Sequence, residues 1–350
     1  MNERLHKIGT NLIPAVAYGD AAGLAVETKS WRYIEQKYGT IDKLVYPQDN
    51  IYFEGVWPTG TTSDDTRLTV AVTNALLRAK GFDLDILAKE HIDAYNETPK
   101  VVKPSGRVVV LGWGGSTTNS IERIINNEKT PYESGEMGGS GNGILMKMPT
   151  LAYWQSAHET SQDKRYKQYD LLTSMTHDSD VARITTRVHG DMLHGLLTGE
   201  LSRKSIGRAA YQSAIYHESI FGTTTDVTSA LQLLNTLDSP APQDVKNLYI
   251  DRANDATDRK FGFSYSFYAP ETLLVAYSAL VHGDGDFDKT VYTAVNLGGD
   301  ADSTASIAGS MAVCASDGEI VFPSDIDKVQ DIDKLRQLSI RLADTALSTS

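Results

Sequence analysis

The chain has 350 residues, with 33 Lys and Arg against 45 Asp and Glu, for a net charge of −12. At 41% hydrophobic and 22% charged it has a globular makeup, which excludes wholesale disorder and fibrous structure. The acidic balance argues against nonspecific nucleic-acid binding, and no uncharged apolar run reaches the roughly 18 residues of a membrane span, so a cytoplasmic protein with neither a nucleic-acid nor a membrane partner is expected.

Apolar residues first fall at helical spacing over Ile8–Val26. Ala15-Val16-Ala17 has the look of a leader cleavage site. Glu3 upstream and Gly9, Thr10, Asn11 and Pro14 inside the apolar run favour an ordinary helix instead. Asp20 and Glu27 are seven apart, which on a helix puts both on one face. They mark either a buried polar site or a structural cap or pair. From Asp65 to Ala79, Leu68, Val72, Ala75, Leu76 and Ala79 trace the next helix face, with Ser63 or Asp64 as N-cap. Arg107–Leu111 is the best strand signal, and Gly112–Thr118 reads as a Gly-rich turn. Gly138–Gly143 is a second Gly-rich loop whose amides could cradle a phosphate, although it matches neither a P-loop nor a dinucleotide fingerprint.

Further helices are expected over Val181–Leu197, Ile206–Glu218, Thr225–Thr236 and Pro270–Val281, the last with its proline in the first turn. Another starts near Asp302 and runs through Val313, and its Ala, Gly and Ser allow close packing. Polar excursions are expected near Gln155–Tyr169 and Ser239–Arg259. Strands and helices do not alternate, which argues against a doubly wound sheet. With no composition break, the expectation is one all-α domain over residues 1–350.

Two acidic clusters carry the chemistry. Thr61-Thr62-Ser63-Asp64-Asp65-Thr66 opens one helix, and Gly298-Gly299-Asp300-Ala301-Asp302-Ser303-Thr304 opens another. Each is either an N-cap with exposed acids or, if the two converge, half of a two-metal site. Hard cations want oxygen ligands, and converging carboxylates need cations to neutralise them. His189 and His194 lack the four-residue spacing of a zinc helix and read as structural. His177 either caps the helix it precedes or faces a ligand. Cys314 is the single cysteine and reads as a buried small side chain.

In this order, the motifs Gly19-Asp20…Glu27, Ser63-Asp64-Asp65-Thr66, Gly115-Ser116-Thr117-Thr118, Gly141-Asn142-Gly143, Thr176-His177, Tyr268…Glu271-Thr272-Leu273 and Gly299-Asp300-Ala301-Asp302-Ser303 resemble the ADP-ribosylglycohydrolase family. The resemblance runs from Gly19 to about Met311. It implies an all-α single-domain fold whose central cleft holds two Mg²⁺ or Mn²⁺. By motif matching, Ser63, Asp64, Asp65, Asp300, Asp302 and Ser303 would be the metal ligands, with Glu27 beside them. Gly141, Asn142, Gly143 and His177 would line an ADP-ribose groove, Ser116 and Thr117 would stand near the scissile bond, and Tyr268 would stack near the adenosine. Where some members carry an acid and an Asn around that Gly-x-Thr-Thr turn, this chain has Trp113 and Ser116.

The implied activity is hydrolysis of the glycosidic bond joining ADP-ribose to an acceptor side chain, best guessed as arginine, on an ADP-ribosylated protein. Glu27, Asp64 or Asp302 would be the base to water. The rivals are hydrolysis of a small ADP-ribose conjugate or nucleoside-like glycoside, and a non-catalytic binding protein on the same fold.

Overall fold

The computed structural model describes residues 2–48, 50, 57–102, 108–237, 240–255 and 265–348. Among them seventeen α-helices follow one another. They are α1 Asn2–Leu24, α2 Trp31–Tyr38, α3 Asp64–Ala79, α4 Leu84–Glu97, α5 Gly115–Ile125, α6 Met148–Ala157, α7 Gln162–Ser174, α8 Asp180–Thr198, α9 Ile206–Phe221, α10 Asp226–Ala230, α11 Gln232–Thr236, α12 Pro242–Leu248, α13 Ile250–Asp255, α14 Ala269–Gly283, α15 Phe287–Leu297, α16 Ala301–Cys314 and α17 Ile332–Ser348. Sheet among the described residues is limited to two small pairs. β1 (Lys100–Val102) runs antiparallel to β2 (Val108–Val110), with Val101 opposite Val109. β3 (Glu136–Met137) runs parallel to β4 (His177–Asp178), with Glu136 opposite His177. The fold is all-α, as the helical spacing implied, and no helix among the described residues is long and apolar enough to cross a membrane.

The two small-residue helices form the centre. α1 packs most extensively on α16, then on α17, and the contact is backbone to backbone. A Cβ on Gly19 would stand 2.3 Å from the Ala305 carbonyl oxygen, and one on Gly23 would stand 2.1 Å from that of Ala301. Glycines four apart lie on one helix face, so this pair opens the groove that α16 occupies. α16 is buried along its whole length, from Ala301 to Cys314. A core of buried side chains from Leu5 to Ala346 surrounds the pair.

Pro14 lies inside α1, where it lacks an N–H and disturbs the turn before it. Ser339 of α17 repairs the break. Its hydroxyl accepts from the Ile13 amide at 3.1 Å and donates to the Gly9 carbonyl at 2.6 Å.

Gly23→Ala is expected to destabilise the protein by about 3 kcal/mol or more, because overpacking against a rigid backbone costs at the upper end of its usual range. Chemical denaturation checks this, and an unchanged midpoint would mean that α1 and α16 can separate freely.

Several local expectations change. α1 ends at Leu24, and Glu27 sits in the turn beyond it, so Asp20 and Glu27 do not share a helix face. Past Leu24 the chain turns, with the Val26 amide donating to the Gly23 carbonyl at 2.9 Å, and then Thr28 takes a left-handed φ of 70° and Ser30 bridges to Gly298. The stretch expected as one helix over Thr225–Thr236 is two short helices, α10 and α11. The polar stretch Gln155–Tyr169 is mostly helical, split between the end of α6 and the start of α7, and the described part of Ser239–Arg259 holds α12 and α13. The second half of the Gly112–Thr118 turn is the first turn of α5. The strand expected at Arg107–Leu111 is Val108–Val110, with Arg107 outside the described residues.

Candidate active site

Close packing of α1 on α16 brings the C-terminal end of one helix to the N-terminal end of the other. The start of α3 meets them there through Asp20. That carboxylate is fully buried and accepts from the Ser63 amide at 2.9 Å, the Thr66 amide at 3.0 Å and the Thr66 hydroxyl at 2.5 Å. It satisfies amides at the start of α3 that have no partner within the helix, so of the two acids on the first motif Asp20 is a structural cap. Ser63 is the N-cap of α3. Its hydroxyl accepts from the Asp65 amide at 3.2 Å and lies 3.3 Å from Asp65 Oδ2. The α16 start is stitched on both sides. The Gly299 amide donates to the Lys29 carbonyl at 2.7 Å, and the Asp300 amide donates to the Tyr265 carbonyl at 3.1 Å. Gly299 has a φ of +76° and no room for a Cβ, which would stand 2.5 Å from the Tyr265 carbonyl oxygen, so glycine is required just before the acidic motif.

The result is a cavity of about 220 Å³ lined by Glu27, Asp64, Asp65, Asp300, Asp302 and Ser303. All five carboxylates are buried, Asp65 at 1% exposure. The alternative of exposed acids at two separate helix starts is therefore overturned. Carboxylate oxygens of Glu27, Asp300 and Asp302 lie within 4.8 Å of one another. The described donors that hydrogen-bond to the cluster are neutral. Asn50 donates to Glu27 Oε2 at 2.9 Å, Ser303 donates to Asp65 Oδ2 at 3.1 Å, and Asn142 donates to Asp300 Oδ2. Burial, followed by the charge of Asp302, pushes Glu27, Asp64, Asp65 and Asp300 well above the ordinary carboxylate range. The same two causes push Asp20 up to about 7, and burial raises Asp302.

Two oxygens of the cluster, Asp65 Oδ1 and Asp302 Oδ1, are buried without a hydrogen-bond partner. A buried acceptor left this way is costly, and mutually repelling carboxylates compound the cost. Divalent hard cations answer both, because they take carboxylate and hydroxyl oxygens as ligands. The donor set is all oxygen, which fits magnesium or manganese and lacks the His and Cys that zinc prefers.

The other cavity walls are Gly112, Gly114, Gly115, Ser116, Thr117, Gly141, Asn142, Gly143, Met146, His177 and Phe267. The structure thus brings Ser116, Thr117, Gly141, Asn142, Gly143 and His177 together with the acids. His177 does not cap α8. Ser179 does, accepting from the Ala182 amide at 3.1 Å, and His177 faces the cavity. Ser63 is not among the described lining residues, though its hydroxyl touches Asp65, and Trp113 is buried in a small apolar cluster with Leu68, Val110, Ile121 and Met146. Tyr268 is not among the described lining residues. Its hydroxyl is tied to Asp226 Oδ2 at 3.2 Å, and its neighbour Phe267, 39% exposed, supplies the aromatic wall instead.

Three contributors escaped the sequence reading. Asn50 orients Glu27 and stands in a polar stretch with no motif. Phe267 is one residue from Tyr268, the aromatic of the motif. Lys147 is completely buried beside the site, where burial pulls its ammonium down to about 7 against the opposing charge of Asp64. A lone lysine in Ile144-Leu145-Met146-Lys147-Met148-Pro149 was a legible signal, since charges inside apolar runs are rare unless paired.

The family described as ADP-ribosylglycohydrolase matches residues 10–349. The uncharacterized protein YegU of Escherichia coli (strain K12) is 24% identical over 351 residues, covering 95% of this chain and 93% of YegU. A solved structure titled "ADP-ribosylglycohydrolase-related protein complex" superposes with a TM-score of 0.64 at 21% identity, covering 98% of this chain and 99% of that one. At that identity the likeness establishes the fold.

Proposed function

The chain belongs to the ADP-ribosylglycohydrolase family, which supports a glycosyl hydrolase function, and from that premise we propose that it releases ADP-ribose from an acceptor side chain, arginine being the first choice. The observation that carries this reading is the buried meeting of five carboxylates around two partnerless oxygens. Such a cluster is expensive for a scaffold and useful to a metal-assisted hydrolase. Ser63, Asp64, Asp65, Asp300, Asp302 and Ser303 would hold two Mg²⁺ or Mn²⁺. When bound, these ions supply Lewis-acid chemistry, orienting ribose hydroxyls and acidifying water.

The chain's own residues would do the rest. Glu27 is the best placed of Glu27, Asp64 and Asp302 to take a proton from water. It comes from a turn rather than a helix start, and Asn50 fixes one of its oxygens. Water attack at the ribose anomeric carbon passes through an oxocarbenium-like state, which the surrounding carboxylates favour by charge. The Gly141–Gly143 turn and His177 would hold the ribose and diphosphate side, with Ser116 and Thr117 on the leaving-group side. Tyr268 is retained as an adenosine contact at the rim, next to Phe267.

The cavity, about 220 Å³, is below the roughly 300–1,000 Å³ of pockets that enclose a drug-sized ligand. It therefore suits the reacting sugar rather than a whole ADP-ribosyl conjugate. The test is release of ADP-ribose from arginine-modified and serine-modified proteins with Mg²⁺, Mn²⁺ or EDTA. Release from one of them, abolished by EDTA, is the expected result. Bound metal without release from either protein would transfer the proposal to a small ADP-ribose conjugate. Neither metal binding nor release would leave a binding protein.

A further inference from the structure

Lys147 ends the 3₁₀ turn Asn142–Lys147 and is sealed from solvent, yet nothing in the proposed reaction uses it. Its Nζ donates to the hydroxyl of Thr176 at 3.3 Å, and that hydroxyl oxygen lies 2.9 Å from His177 Nδ1. The Thr176–His177 backbone is held in place. Ser120 Oγ donates to the Thr176 carbonyl at 3.0 Å, the Glu136 amide donates to the same carbonyl at 3.1 Å, and β3 pairs with β4. The far edge of the imidazole abuts the Gly-rich turn. Nε2 is 3.5 Å from where a Gly141 Cβ would stand, and Cε1 is 3.6 Å from the same point on Gly143. All three residues line the cavity.

The order of donors along this chain follows from lone pairs. An ammonium has three protons to give and no acceptor, whereas a hydroxyl gives one proton and accepts elsewhere. Thr176 accepts from Lys147, so its own proton goes to the other described partner, His177 Nδ1. That nitrogen then carries a lone pair, and the ring proton sits on Nε2. The opposite arrangement, with Nδ1–H pointing at Thr176, strands the hydroxyl proton in a buried site between two donors.

We propose that Lys147 is a positioning residue which, through Thr176, holds His177 neutral with its proton on Nε2, so that the cavity wall presents an N–H to an acceptor oxygen of the bound substrate. Burial and the nearby Lys147 charge work in the same direction, pulling His177 down to about 3. The identity of the substrate rests on the function proposed above, but the tautomer is a property of the free protein and is measured without it.

The test is a long-range ¹H–¹⁵N spectrum of the imidazoles in the full chain, recorded near the middle of the window from about 3 to about 7 in pH, where His177 is neutral and Lys147 charged. His177→Gln assigns the His177 signals. Wild type is expected to show the Nε2–H pattern, and Lys147→Met and Thr176→Val to shift it toward Nδ1–H. ADP-ribose affinity of Lys147→Met should fall about tenfold, the effect of one hydrogen bond, and appear in KM rather than kcat. Lys147→Arg should restore both. An Nδ1–H or imidazolium spectrum in wild type overturns the proposal even if the variants fail to fold. So does a folded Lys147→Met with unchanged tautomer and affinity. An Nε2–H wild type whose tautomer shifts in Lys147→Met, but which does not bind ADP-ribose, supports the role of Lys147 and counts against the substrate.

Discussion

Asp302→Asn is expected to abolish divalent-metal binding and to lower kcat/KM on the order of a thousandfold, the scale on which preorganised electrostatic and metal-assisted catalysis operate. Asp302 is the electrostatic centre of the site, since after burial its charge is the largest influence on Glu27, Asp64, Asp65 and Asp300. Removing that charge is also expected to stabilise the metal-free protein, by about 1–2 kcal/mol, as functional sites commonly trade stability for activity. Calorimetric titration with Mn²⁺ and urea denaturation in EDTA read the two effects separately. Undiminished Mn²⁺ binding by the variant would remove Asp302 from the ligand set. A less stable metal-free variant would show that the carboxylates are neutralised by something other than a cation.

The second large effect is acid lability from buried histidine. His189 is fully buried on α8, with Nδ1 3.1 Å from the Tyr277 hydroxyl and Nε2 without a partner. Burial alone pulls its pKa from 6.5 to about 3. The folded pKa lies below the unfolded one, so between these values the unfolded chain binds a proton that the folded one does not. The contribution of neutral His189 is therefore complete above about 6.5 and is lost as pH falls toward about 3. Relative to His189→Leu, wild type should lose about 1.4 kcal/mol per pH unit over that window. Paired urea titrations at several pH values measure it. A difference that stays flat with pH would mean that the site opens to water or that His189 is already charged when folded.

Much of this protein was legible in the residues. Helical spacing marked α3, α8 and α9 within a few residues, because each sets an apolar stripe against the core, and it also marked α14 and α16, which are buried almost all round. The small-residue run of α16 announced its close packing. The two acidic motifs were legible as candidate chemistry because carboxylates that converge need cations to neutralise them, whereas the Gly141–Gly143 turn gained meaning only from its place in the order of motifs. α2, α12 and α13 are each eight residues or fewer, too short for a periodic pattern to stand out, α7 is too polar to show one, and the break between α10 and α11 leaves no local mark. The longer helices α4, α5, α6, α15 and α17 also went unread, although α4, α15 and α17 each bury one face.

Sequence alone determined the ingredients: all-α class, paired carboxylates at helix starts and the order of motifs. Tertiary structure decided which acids face one another. Asp20 and Glu27 look equivalent along the chain, but α1 ends between them. One carboxylate is thereby spent on the amides of α3 and the other turned into the cavity by Asn50. The approach of α1 to α16 brings residues 23, 27, 64 and 302 together, Asn50 and Asn142 join them through Glu27 and Asp300, and His177 is set by the pairing of β3 with β4. The closeness of that approach depends on what stands opposite each glycine, a fact about pairs of residues hundreds of positions apart that no local pattern carries.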